Sequence, residues 1–343
     1  MATSLARTAI DDLRRMGPHD AAHVPAIRAG ISVGLPLVIL LVADRVEWSA
    51  FCAFGAFAAI YGRGLARRPR LRMQAQAAVA LLVAVTSGTA LSLVDSRAWW
   101  VVLGATIITT VTALAADALR WRPPGGLFTL FGFAVCAMTP HTSARTLAIA
   151  AGLCITTSAF GIAVSTIGTS GSPSVADRPP LRLHLREPRT RLLLLRFLVA
   201  PAVAGAIATG AGIGHPYWGM VAAVSVLTAP SVRHIASRGT LRAVGTVAGL
   251  GVTAVILALD PGPAAIVAVI IVAQVAAELF VMRNYGVAAV FITPLALLMG
   301  QLVHPVPTGE LLAERGLETL IGITVGVTVA WITGRQANRA SPQ

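Results

Sequence analysis

The sequence predicts an all-α polytopic membrane protein of about twelve transmembrane helices, arranged as two parallel six-helix repeats. Three observations predict it. Hydrophobic residues make up 56% of the 343 residues and charged residues only 12%, about half the charge density of a soluble domain. The apolar residues fall into runs near the ~20-residue length that a helix needs to cross a bilayer. The basic residues gather in alternate connectors between those runs, as bilayer topology requires. This composition excludes a soluble enzyme, a nucleic-acid binder and a disordered chain. The net charge of +13 therefore reads as topology, and all 27 basic residues being arginine reads as codon usage rather than anion chemistry at every position.

Residues 1–24 contain Asp11, Asp12, Arg14 and Arg15 and no apolar core. They read as a cytoplasmic N-terminal segment able to form a short amphipathic helix, and not as a secretory signal. The first six-helix repeat covers residues 25–168, with spans at Ala26–Ala43, Trp48–Tyr61, Met73–Val94, Ala98–Ala118, Gly125–Met138 and Thr146–Gly168. Residues 169–191, rich in Ser, Gly, Pro and Arg, form a cytoplasmic linker. The second repeat covers residues 192–334, with spans at Leu192–Ile213, Tyr217–Ala229, Ala243–Leu259, Ala264–Val281, Gly286–Val303 and Leu317–Thr333; residues 335–343 are a cytoplasmic tail. The second, fifth and eighth spans are short, so each is expected to be tilted, broken or only partly spanning.

Arginine positions test this order. With both termini inside, 21 arginines fall in inner segments, and only Arg45, Arg97, Arg145 and Arg315 fall outside. Arg28 and Arg196 lie within apolar runs. The bias supports twelve spans in a plasma (inner) membrane with N and C termini cytoplasmic.

A 170-residue offset relates Trp48 to Trp218, Arg63 to Arg233, Arg68 to Arg238, Arg72 to Arg242, Arg145 to Arg315 and Gly152 to Gly322. A shared register at separated places argues for duplication. Six spans per unit is an even number, so the repeats enter from the same side and are parallel. No P-loop is present and the short connectors leave no room for a nucleotide-binding domain. Cys52, Cys136 and Cys154 lie in apolar runs without metal-like spacing, so no disulfide framework, metal or cofactor is expected.

The second half carries an ordered set of motifs: His215-Pro-Tyr-Trp218, Pro230, Arg238-Gly-Thr-Leu-Arg242 with Gly245-Thr246 and Gly249, Arg283-Asn-Tyr285-Gly, Phe291-Ile-Thr293-Pro294, and Arg315-Gly-Leu-Glu318 with Gly322. This pattern resembles the fusaric-acid-resistance-like (FUSC) family of integral membrane transporters, which includes aromatic-acid exporters. The resemblance covers the second repeat well and the first more loosely. Where the second repeat has Gly245 and Gly249, the first has Ala75 and Val79, and the chain lacks the sizeable cytoplasmic domain of many relatives. The resemblance implies efflux of small organic acid anions, aromatic acids among them.

Candidate substrate-binding residues are Arg28, Arg196, Trp48, Tyr217, Trp218, Thr129 and Thr293. An intramembrane arginine is costly and needs a partner; Arg28 and Arg196 either attract a carboxylate or snorkel to the interface. Trp48, Tyr217 and Trp218 stand at outer span ends as an interfacial belt or as an aromatic wall. Thr129 and Thr293 sit in the fifth and eleventh spans, which carry Pro123-Pro124-Gly125-Gly126 and Pro294. Interrupted helices in matching places point to a transporter site, whose exposed N–H groups favour an anion, though packed bundles also tolerate such residues. Coupling or gating candidates are Asp117 with Arg120 and Glu278 with Arg283, read as proton-titrating carboxylates beside an arginine or as interfacial ion pairs. His141, His215 and His304 fall in outer loops, as a responsive cluster or as ordinary loop histidines.

The leading expectation is a secondary exporter, with a passive anion channel or a non-transporting envelope scaffold as alternatives. HExxH is absent and no GxSxG nucleophile elbow is seen, the one match at Gly30–Gly34 lying inside an apolar run, so the chain is not expected to be an enzyme. Expected partners are the lipid bilayer and a small organic anion, with no nucleic acid; a homo-oligomer or an accessory envelope protein stays open.

Overall fold

The computed structural model describes residues 16–139, 143–167, 185–229 and 232–340, the side chains of 232, 233 and 335–340 excepted. Among these residues the chain forms twelve α-helices: α1 (His23–Val42), α2 (Ser49–Ala56), α3 (Arg67–Leu91), α4 (Ala98–Ala118), α5 (Leu127–Met138), α6 (Ala144–Ser165), α7 (Pro188–Gly210), α8 (Tyr217–Leu227), α9 (Val232–Ala258), α10 (Pro263–Phe280), α11 (Tyr285–Val303) and α12 (Thr308–Ala340). Short 3₁₀ turns, Val46–Trp48 and Phe57–Ile60, flank α2. Nine of the helices among the described residues are long and apolar enough to cross a membrane, while α2, α5 and α8 are shorter. The fold is therefore an all-α, multi-pass membrane bundle.

Local chemistry sets the ends. Ser143 and Thr146 form a reciprocal capping box at the start of α6, and the Asn284 side chain accepts from Val287 N–H at the start of α11. Pro188 and Pro263 open α7 and α10, where a missing N–H costs nothing. Asp44, Arg120 and Asp260 take positive φ just beyond helix ends, the left-handed turn that releases the chain from a helix. Inside the spans, hydroxyls donate back to their own helix, Thr89 to Val85 O and Thr253 to Gly249 O, both at 2.8 Å. Such bonds let threonine-rich helices sit in lipid without free polar groups.

Two predicted boundaries were far off. α9 begins at Val232 instead of Ala243, and α12 at Thr308 instead of Leu317. Charged residues had ended both apolar runs too early, because those side chains turn inward or reach the bundle end while the backbone stays helical. Pro294 does not interrupt α11, which runs unbroken for 19 residues. Pro36 and Pro201 are likewise absorbed within α1 and α7. The predicted N-terminal helix and most of the linker lie outside the described residues.

α8 is buried on every face. Its 11 residues span about 16 Å, roughly half a hydrocarbon core. Surrounding helices replace lipid as its environment, so it needs no full span. α12 packs along α8, and α6 along α2; α9 packs on α11, and α3 on α5. α4 packs against α7, and α10 against α1, which joins the two ends of the chain order. The closest approach uses glycine: a Cβ on Gly322 would run into the Gly219 carbonyl, and one on Gly245 into Gly286. Small residues that let backbones touch are the usual contact in membrane bundles. Large apolar side chains such as Val79, Val111, Val247 and Val272 point outward, as lipid-facing positions do.

The uniform 170-residue register does not survive folding. Arg145 is exposed in the first turn of α6, whereas Arg315 lies well inside α12 and is 1% exposed. A Cβ on Gly152 would meet open space, while one on Gly322 meets backbone. Connectors of different length shift the helices along the chain, so equal spacing in sequence is not equal depth in the bundle.

Candidate functional site

The arginines of α9 meet the start of α11 and the C-terminal half of α8 in one buried layer. Arg242 on α9 donates from Nη1 to the Tyr285 hydroxyl at 2.8 Å. Arg238, one turn earlier, lies 3.8 Å over the same ring and donates from Nε to Ser225 O at 3.0 Å. A cation held on an aromatic face contributes about 0.5–2 kcal/mol, so Tyr285 orders both guanidiniums. Arg242 is buried, yet its Nε has no hydrogen-bond partner among the described residues.

Deeper along α12, Arg315 stacks 3.9 Å over the Trp218 ring. Glu318, one turn on, is 0% exposed and within electrostatic range of Arg315. The His215 backbone reaches toward the Glu318 carboxylate, but neither carboxylate oxygen meets a donor in hydrogen-bond geometry among the described residues; nor do Nε and Nη1 of Arg315 meet an acceptor. Arg242 is within electrostatic range of Arg315 as well. Two buried guanidiniums, Arg242 and Arg315, thus lie in range of each other with Glu318 as the carboxylate in range of Arg315, inside an apolar bundle where each ion costs several kcal/mol to desolvate. At the mouth of this layer Glu314 accepts from Gly214 N–H at 3.0 Å and lies 2.6 Å from His215 Nδ1.

Of the residues expected from the sequence, Trp218 and Tyr217 belong to this layer. Both are buried, so they form an internal wall and not an interfacial belt. Their rings lie 4.9 Å apart, and Phe131 of α5 lies 4.9 Å from Trp218. Trp48 is elsewhere, with Arg45 5.7 Å from its ring. Arg28 donates to Ile167 O and is within electrostatic range of buried Arg70. Arg196 ties α7 to α12 through Thr333 Oγ1 at 2.8 Å and Ala330 O at 3.1 Å. Thr129 and Thr293 are buried and donate to Gly126 O and Ala289 O of their own segments. Glu278 is met by Arg63, at 3.9 Å, and not by Arg283, which instead donates to Gly17 O. Asp117 accepts from Thr190 Oγ1 at 3.4 Å. His141 lies outside the described residues, His215 is bound to Glu314, and His304 is exposed, so the latter two do not cluster.

Arg242, Tyr285, Arg315 and Glu318 were not singled out as site residues, and Arg315 was assigned to an outer loop. The signal was present in the motif spacing: Arg315 and Glu318 are three apart, which puts them on one helix face.

The comparisons bear on this half of the chain. Residues 203–329 match the family described as fusaric acid resistance protein-like. That stretch holds the whole charged layer, and the resemblance noted from the sequence is shown there. A distant relative is an uncharacterized membrane protein, YvaC, of Bacillus subtilis (strain 168), 27% identical over 134 residues, or 39% of this chain. The matched stretch spans 21% of YvaC's length. No solved structure matches the chain.

Proposed function

We propose that this protein is a secondary exporter of small organic acid anions, built of two parallel six-helix units with its arginine-rich end in the cytoplasm. The observation that carries the reading is the buried excess of guanidinium over carboxylate around Arg315, within the family-matched half. In the empty state Glu318 partly neutralises Arg315. An incoming carboxylate displaces it and bridges Arg315 toward Arg242, while Trp218 and Tyr285 present ring faces to the organic body. Arg28 and Arg70 draw anions to the cytoplasmic end. Asp117 with Arg120, and Glu278 with Arg63, hold the two junctions α4–α7 and α10–α1 and gate them. The membrane potential supplies the drive: moving one charge through 100 mV is worth about 2.3 kcal/mol.

The two-unit reading is supported by the matched helix pairs, α2–α6 with α8–α12, α3–α5 with α9–α11, and α4–α7 with α10–α1. The test is efflux of labelled benzoate and acetate from proteoliposomes under a set potential. Saturable flux is expected, falling at least tenfold in Arg315→Gln and Arg242→Gln. Absence of flux for every acid tried would leave a membrane scaffold as the better reading; flux linear in anion concentration would replace the carrier by a channel.

A further inference from the structure

The junction between α4 and α7 differs from the junction between α10 and α1. At the α10–α1 junction, protein closes the arginine-rich end. Gly17 N–H donates to Arg283 O at 2.9 Å, Arg283 Nε donates back to Gly17 O, and Arg63 covers Glu278. At the α4–α7 junction a cavity of about 330 Å³ opens instead. Arg120 and Arg122 from the α4–α5 connection and Arg189 from the first turn of α7 line it, with Asp117 and Trp121. Three guanidiniums face one carboxylate, and that carboxylate already accepts from Thr190. Arg120 Nε is inaccessible to solvent and has no hydrogen-bond partner among the described residues. Arg122 and Arg189 are exposed at the rim.

The chemistry that satisfies such a lining is a phosphate group, whose oxygens accept from several guanidiniums at once. Both flanking helices show lipid-facing side chains, Val111 on α4 and Leu195 and Leu198 on α7, against which acyl chains can lie. Basic pockets between transmembrane helices at the membrane surface suit anionic headgroups. We propose that the α4–α7 cavity binds the phosphate headgroup of an anionic phospholipid, held by Arg120, Arg122 and Arg189, and wedges the two halves at this junction. The site lies apart from the Arg315 layer, shares Asp117 and Arg120 with the proposed gate, and does not depend on what the protein carries.

The experiment is native mass spectrometry of the full-length protein in mild detergent, titrated with phosphatidylglycerol, with phosphatidylcholine, and in a separate arm with inorganic phosphate competing against phosphatidylglycerol. Selective retention of phosphatidylglycerol is expected, weakened by about fivefold for each arginine removed, in Arg189→Gln and further in the triple variant Arg120→Gln/Arg122→Gln/Arg189→Gln. Arg68→Gln/Arg72→Gln, which removes two exposed arginines of α3, should retain lipid as the wild type does. Arg189→Gln alone keeps the test decisive if the triple variant fails to fold. Equal retention of phosphatidylcholine, full displacement by inorganic phosphate at equal concentration, or unchanged retention in Arg189→Gln would each overturn the assignment.

Discussion

On α6 the buried face runs Ala150, Cys154, Thr157, Ser158, Gly161 and Val164; on α12 it runs Leu311, Arg315, Glu318, Thr319, Gly322 and Val325. The spacing is the same step for step, and each face packs on a short partner helix, α2 or α8. The chemistry differs at two positions. Where α12 buries Arg315 and Glu318, α6 buries Cys154 and Thr157. A similar contrast separates α3 from α9: Met73, Gln74, Ala77 and Leu81 are buried at the spacing of Leu241, Arg242, Gly245 and Gly249. Gln74 is fully engaged, donating to Ala59 O and Tyr61 O and accepting from Ser165, while Arg242 keeps an unpartnered Nε. The α6 face shows that this packing needs no charge, although α3 in the same half buries Arg70 with Nε and Nη2 unpartnered among the described residues. The α12 face carries charge at a desolvation cost that packing does not require, which supports the site proposed there.

The largest expected effect tests whether the α12 charges depend on each other. Glu318→Gln leaves the Arg315 guanidinium buried without a carboxylate, and should cost about 3–5 kcal/mol. Thr157→Val on α6 loses one hydroxyl bond to Leu153 O and should cost about 1 kcal/mol. Thermal unfolding in detergent measures both, and equal losses would erase the contrast between the halves. Next comes transplantation. Arg315→Cys with Glu318→Thr copies the α6 face onto α12; removing both ions together leaves no lone buried charge, so the stability cost is that of the lost volume, about 2–4 kcal/mol. Organic-anion flux should fall by at least about a hundredfold, some 2.7 kcal/mol. Retained flux would move the site out of this layer. Smaller is the effect of Gly322→Ala, which drives a methyl into the Gly219 carbonyl and should cost about 1–3 kcal/mol. Gly152→Ala faces open space and should be neutral or stabilising by up to about 1 kcal/mol. Melting curves that rank these two the other way would restore the 170-residue pairing. The smallest effect belongs to Arg145→Gln, which should stay within about 0.5 kcal/mol and leave flux unchanged.

Much of the fold was legible because hydropathy is a local property. Ala98–Ala118 matches α4 residue for residue, and each of the other predicted spans overlaps one observed helix. The site was only half legible. Trp218 and Tyr217 were named, but as wall or belt, since a sequence does not say whether a span end faces lipid or protein. Arg28 and Arg196 stand out in the sequence as arginines within apolar runs, yet both end on backbone carbonyls of neighbouring segments, Ile167 in the turn after α6 and Ala330 on α12. Arg315 escaped because Glu310 and Glu314 before it made the start of α12 look like a loop.

Composition and the periodic apolar runs by themselves determined that this chain is a helical bundle in lipid, because each span must satisfy its own backbone and meet hydrocarbon with apolar side chains. They also set the twelve helices found among the described residues. Only the tertiary structure decided which charges are buried together. Burial depends on the rotation and depth of each helix against its neighbours, and those follow from contacts such as Gly322 on Gly219 and Gly245 on Gly286, made between residues far apart in the chain.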